Sequence, residues 1–238
     1  FIKWLQELKL EIIVDDMGNI FGKRAGKNDD LTPVMSGSHV DSQPKGGRFD
    51  GILGVMGPLE VLRTLQENNV ETERSIIIVD WTNEEGSRFP PAMMASAGYA
   101  GIYDVKTLLS AEDAEGNIFG EELEKIGWKG SEPVGEQKIH CYYELHIEQG
   151  PVLETEEIDI GVVTHGQGLK WLEVQLSGTE QHTGTTPMHV RKDTSLAMSE
   201  IILAVNNIAY KNQPNALGSV GHIEVSPNSR NVIAGHSI

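Results

Sequence analysis

The chain has 238 residues, 39% of them hydrophobic and 23% charged, with a formal net charge of −16. That length and apolar content suit one large domain or up to two average ones, and they exclude extended disorder. The acidic balance offers no basic stripe to nucleic-acid phosphates and disfavours an anionic membrane surface.

In chain order, "FIKWLQELKL" carries apolar residues at helical spacing, which predicts a helix ending before "EIIV". The chain opens without Met or a signal-peptide pattern, as if in mid-helix, so it is expected to be a fragment. "EIIVDDMGNIFGKRAG" reads as two short strands around a turn at Asp16–Asn19. "TPVMSGSHVD" predicts a buried strand running into a loop, "GILGVMGPLEVLRTLQENN" a helix with glycines at its packed start, and "SIIIVDW" a β-branched buried strand. "NIFGEELEKIGW" contains a short helix, and "IHCYYELHIEQG" is another expected strand. Strands alternating with helices imply an α/β domain with a parallel or mixed sheet. The single cysteine, Cys141, permits no intramolecular disulfide and reads as a small core residue; a cytoplasmic setting is expected. No apolar run approaches the ~20 residues of a membrane span.

After Gly168 the texture changes. "LKWLEVQLSG" alternates like a half-exposed antiparallel strand, and "DTSLAMSEIILAVNNIAYK" is an amphipathic helix capped by Asp193 or Thr194. "LGSVGHIEVSP" and "NVIAGHSI" are read as further strands. The pattern is that of the first part of a small α+β sandwich, and a domain boundary is expected near residue 168.

The polar residues that could carry chemistry gather where strands are expected to end. These are His39, Asp41 and Asp50 in "SGSHVDSQPKGGRFDG", Glu84 and Glu85 in "NEEG", and Glu144, His146 and Glu148 in "ELHIEQG". Taken singly, each is ordinary: adjacent glutamates are usually solvated, and a histidine in an alternating strand is usually a satisfied, half-buried one. Sites in open α/β sheets form beyond the carboxyl ends of strands, and mixed imidazole and carboxylate donors suit zinc or a similar divalent ion. Two adjacent glutamates can then have separate jobs. If Glu85 ligates a metal, Glu84 stays free as general base, Asp50 can bridge two ions, and Asp41 can orient the His39 ring.

With these residues set out, "GSHVDSQPKGGRFDG", "TNEEGSRF", "ELHIEQGPVLE" and "QHTGTTPMHVRKD" resemble the carbamoylase–amidohydrolase branch of the di-metal aminoacylase/carboxypeptidase superfamily. That branch comprises N-carbamoyl-L-amino-acid hydrolases, allantoate amidohydrolases and the yeast-type β-ureidopropionase, and the resemblance runs over essentially the whole chain. It implies a catalytic domain (1–168) that lacks its last segment and carries an inserted ferredoxin-like dimerisation lid, truncated here (169–238). His39, Asp50, Glu85 and His146 would be metal ligands for two divalent ions, zinc first, with manganese, cobalt or nickel as alternatives. Glu84 would be the general base and Asp41 the support of the first histidine ligand. His182 matches a lid histidine that stabilises the oxyanion in the partner subunit's site, and Asn231 matches a residue that binds the substrate carboxylate and oxyanion. Arg191 follows the "TTPM" turn; the family often places an Arg there, though a structural salt bridge is the plainer expectation. A further histidine ligand and a substrate-carboxylate arginine would lie beyond Ile238, and "NVIAG" stands where the family more often has "NVIPG". The implied substrate is a small ureido compound. N-carbamoyl amino acid is preferred, allantoate is an alternative, and an inactive scaffold of the same fold is the rival of another class.

Overall fold

The computed structural model describes all residues from Phe1 to Ile238. They form two compact units, Phe1–Gly161 and Val162–Ile238.

The first unit opens with α1 (Ile2–Glu7), then β1 (Glu11–Val14) and β2 (Ile20–Arg24), the hairpin-like pair the sequence predicts. At the turn, Asp15 Oδ1 accepts the main-chain N–H groups of Met17 and Asn19, and Oδ2 accepts the Asn19 amide. Asp15 is buried, and burial lifts its carboxyl to about 6 against those stabilising hydrogen bonds. β3 (Val34–Ser38) leads into α2 (Ile52–Glu67), and β4 (Ile76–Asp80) returns parallel to β3. Three short helices follow, α3 (Met94–Tyr99), α4 (Val105–Leu109) and α5 (Phe119–Lys125). Only the last was expected, because α3 and α4 are too short to show helical periodicity. β5 (Cys141–Tyr143) and α6 (Val152–Thr155) complete the unit. The strand expected across "IHCYYELHIEQG" is therefore confined to three residues, and the segment carrying His146 is loop.

The sheet order is β1-β2-β4-β3-β5. The β1–β2 and β2–β4 pairs are antiparallel, while β4, β3 and β5 run parallel, so the sheet is mixed. Apolar residues cover both faces. Leu5, Leu8, Leu10, Leu59, Leu62 and Ile78 join α1 and α2 to one face, and Phe21, Met35, Ile77, Val79 and Trp81 fill the other. A further cluster around Met17, Met94 and Phe119 fastens α3–α5. Burial on both faces explains why β4 reads as an unbroken apolar run.

The second unit contains β6 (Leu176–Ser177), α7 (Thr194–Lys211), β7 (Val225–Ser226) and β8 (His236–Ser237). The strands pair antiparallel in the order β6-β8-β7. α7 is capped by Asp193, whose carboxylate accepts the Ser195 N–H at 3.0 Å. The longer strands expected in "LKWLEVQLSG" and "LGSVGHIEVSP" shrink to two residues each. The alternation is present in the sequence, but residues 169–175 have no partner strand to complete a ladder.

Candidate metal centre

Because β3, β4 and β5 are parallel, the loops that follow them leave from one edge of the sheet. His39 is the first residue beyond β3, Glu84 and Glu85 lie shortly beyond β4, and His146 follows β5. Asp50 stands at the entrance to α2. Its Oδ1 lies 3.2 Å from His146 Nε2 and 3.8 Å from His39 Nε2. One ligand atom each from His39, Asp50 and His146 lies within 4.8 Å of the others, and the imidazole centroids are 6.0 Å apart.

The tautomers follow from the outer ring nitrogens. His39 Nδ1 lies 2.9 Å from the Asp41 main-chain carbonyl and His146 Nδ1 lies 2.9 Å from that of Ile147. A carbonyl oxygen only accepts, so both Nδ1 atoms carry a proton and both Nε2 atoms face Asp50. With Nδ1 held in this way, Nε2 is the position at which a cation can take the place of a proton. Gly51 makes the approach possible: with φ +68, a Cβ there would stand 2.5 Å from His39 Cε1 and Nε2.

Asp41 does more than orient a ring. Its Oδ1 is 3.4 Å from His39 Nδ1, and its two oxygens accept the N–H groups of Glu84 (3.2 Å) and Glu85 (3.1 Å). Asn83, with φ 52, makes this possible by taking the left-handed conformation just before the pair. Two adjacent acids are thus held by main-chain donors on a third acid. The hydrogen bonds to His39, Glu85 and Glu84 keep the Asp41 carboxyl below its ordinary value although burial opposes this. Burial also opposes the His39 imidazolium, but Asp41 and Glu84 outweigh it and lift the ring to about 9. Glu84 Oε2 lies 3.4 Å from His39 Nε2. Burial pushes the Glu84 carboxyl up, His39 pulls it down, and Asp41, Glu85 and Glu144 add to the rise.

Glu85 does not join the His39–Asp50–His146 trio. Gln43 Nε2 holds its Oε2 at 3.1 Å, and its Oε1 is buried with no hydrogen-bond partner. A buried, unpartnered carboxylate oxygen is costly, and a cation would satisfy it. Gln149 Nε2 similarly donates to Asp50 Oδ2 at 2.5 Å. Neither glutamine was singled out in the sequence, since the contacts join residues 42 and 99 apart with no local pattern. Two imidazoles that present Nε2, an aspartate and an orphaned glutamate oxygen fit a divalent cation such as zinc.

In the second unit, His182 forms a β-bridge with Val232, which brings it beside Asn231 on the neighbouring segment. Its Nδ1 accepts the Gly184 N–H at 3.0 Å, leaving Nε2 free to donate. Arg191 points its guanidinium at the carbonyls of Thr183 (2.6 Å) and Thr186 (2.9 Å), a clamp on the turn rather than the expected salt bridge.

The model of peptidase family M20/M25/M40 matches residues 35–232. The chain belongs to this family. An N-carbamoyl-L-amino-acid amidohydrolase of Rhizobium meliloti is 51% identical over 235 residues, which cover 99% of this chain and 56% of that protein. An amidase of the hydantoinase/carbamoylase family from Burkholderia vietnamiensis superposes with a TM-score of 0.91 at 49% identity, covering 99% of this chain and 57% of that one. A ureidoglycolate hydrolase of Arabidopsis thaliana is 34% identical across 100% of this chain and 52% of its own length. The chain thus spans a little over half the length of these relatives. The carbamoylase-branch resemblance seen in the motifs agrees with these relatives, as does the mixed-sheet α/β architecture.

Proposed function

We propose that the protein carrying this chain is a metal-dependent amidohydrolase that cleaves the carbamoyl C–N bond of an N-carbamoyl-L-amino acid. The observation that carries this reading is the convergence of His39, Asp50 and His146 with Glu84 standing beside them, uncommitted to another side-chain donor. The carbamoylase names of the 51% and 49% identical relatives support the substrate class.

His39, Asp50, His146 and Glu85 would hold two divalent ions, zinc first. A bound ion supplies Lewis acidity and brings the pKa of a water from about 15.7 toward ~7. Glu84 takes the proton of the attacking water and delivers it to the leaving nitrogen, and Asp41 keeps Glu84 and His39 in register for that transfer. Addition of water and loss of the amine give the free amino acid and carbamic acid, which decomposes to ammonia and carbon dioxide. His182 and Asn231 are assigned to the developing oxyanion and the substrate carboxylate. Arg191, its donors engaged by carbonyls, supports that turn. The second unit is assigned as the first part of a lid through which two subunits pair.

The test measures ammonia and free amino acid formed by the chelator-stripped protein after zinc or manganese is restored, the amino acid because hydrolysis of a dipeptide releases no ammonia. N-carbamoyl-L-amino acid, N-carbamoyl-β-alanine, allantoate and a dipeptide are offered separately. Metal-dependent release from the first substrate alone is expected. Turnover of the dipeptide only would overturn the carbamoylase assignment.

A further inference from the structure

Glu144 takes no part in the trio, yet both of its oxygens are engaged. Oε1 accepts the Ser38 hydroxyl at 2.5 Å, and Oε2 lies 2.9 Å from the Tyr142 hydroxyl. Tyr142 Oη in turn takes the Trp81 indole N–H at 2.9 Å and lies 2.9 Å from the Gly37 carbonyl. Ser38 is fully buried and Trp81 nearly so, so the donor side of this network is fixed by packing.

Its place in the sheet gives the network a purpose. Main-chain pairing between β3 and β5 runs from Val34↔Cys141 to Ser36↔Tyr143 and stops. Beyond that point no ladder joins the two strands, yet His39 and His146 both lie there. The Ser38–Glu144 bond is the next tie along the same seam, one residue before His39 and two before His146. Trp81 and Tyr142 extend it to the end of β4, from which Glu84 and Glu85 emerge.

We propose that Glu144 is a positioning residue: its carboxylate continues the β3–β5 seam past the last backbone pair and sets the spacing of His39 and His146. The proposal rests on the metal-site reading above. Residues that orient metal ligands without touching the ion typically change affinity by about 10–100-fold when removed. Glutamine should substitute well, because its carbonyl can accept Ser38 and its amide can donate to Tyr142, whose own proton then goes to Gly37.

The experiment strips the protein with chelator and titrates it with zinc against a chromophoric competitor. The cobalt(II) form is recorded by visible absorption. Glu144→Ala is expected to weaken zinc binding by about 10–100-fold and to displace the cobalt bands. Glu144→Gln should stay within about threefold of the wild type with an unchanged spectrum. A Glu144→Ala protein with lowered thermal stability but wild-type affinity and cobalt bands would overturn the proposal. Should Glu144→Ala fail to fold, Ser38→Ala, which removes only the donor, must displace the same bands; wild-type bands in that variant would equally overturn it. His146→Ala separates the two levels of the argument. If it binds zinc as the wild type does, the metal reading itself fails. If it alone loses zinc while Glu144→Ala does not, only the positioning role fails.

Discussion

The unit Phe1–Gly161 and the unit Val162–Ile238 use their apolar residues differently. All of the largest fully buried side chains, from Phe21 and Leu5 to Val79, belong to the first. In the second, only Thr194, Ile233, Ala234 and Ser237 are buried, while Trp171 is 80% and Leu172 84% exposed. A metal centre asks several side chains to hold positions to a fraction of an ångström, and a sheet packed on both faces can supply that. Two-residue strands give a lighter scaffold, and His182 and Asn231 lie outside even these, beside the isolated His182–Val232 bridge.

This contrast can be pressed hardest at the chemistry. Glu84→Gln should lower turnover by about 10²–10⁴-fold, the usual reach of a general base, with metal content unchanged by elemental analysis. His182→Ala should cost about 10²–10³-fold, as for loss of one oxyanion donor, again with the metal retained. Parallel loss of metal and activity in the His182 variant would show that the second unit shapes the centre directly, against the division drawn here.

Packing comes next. Leu59→Ala, in the core beneath α2, should destabilise the chain by about 2–5 kcal/mol in urea unfolding. Leu203→Ala, 61% exposed on α7, should change stability by less than about 0.5 kcal/mol. Equal costs would erase the distinction between the units.

Asp15 offers a pH-resolved version. Its carboxyl is raised from 3.8 to about 6 in the fold, so the folded state favours the protonated form. The associated stability is fully present below pH 3.8 and is lost as pH rises through about 6. The wild-type-minus-Asp15→Asn stability difference should therefore fall across that window by on the order of 2–3 kcal/mol. A flat difference would show that the hydrogen bonds from Met17 and Asn19 offset the burial of the carboxyl in full. A smaller effect is expected at the start of α7: Asp193→Ala removes the cap and should cost about 1 kcal/mol, read as a lower far-ultraviolet melting temperature.

The same contrast governed what could be read from the sequence. β3 and β4 were legible as runs of apolar and small residues bounded by polar ones, and α2 and α7 by the helical spacing of their apolar residues. "LKWLEVQLSG" has the right alternation, but a strand also needs a partner, and alternation carries no information about one. At the site, His39, Asp50 and His146 were visible as chemistry-bearing residues at expected strand ends. The grip of Asp41 on two main-chain amides 43 and 44 residues away was not, nor was the hold of Gln43 on Glu85. Those contacts exist only once the parallel strands β3 and β4 bring their two loops to one edge.

One glycine has a practical meaning for anyone wishing to retune this protein. At Gly51, with φ +68, even a methyl group would collide with the His39 ring at 2.5 Å, whereas at Gly47 in the same loop nothing lies within 4 Å of where a side chain would begin. A saturation library over this loop should return only glycine among active clones at 51 and a broad range of residues at 47. The loop thus holds a forbidden letter and a free one four places apart, and only the free one can be rewritten without pushing on a candidate ligand.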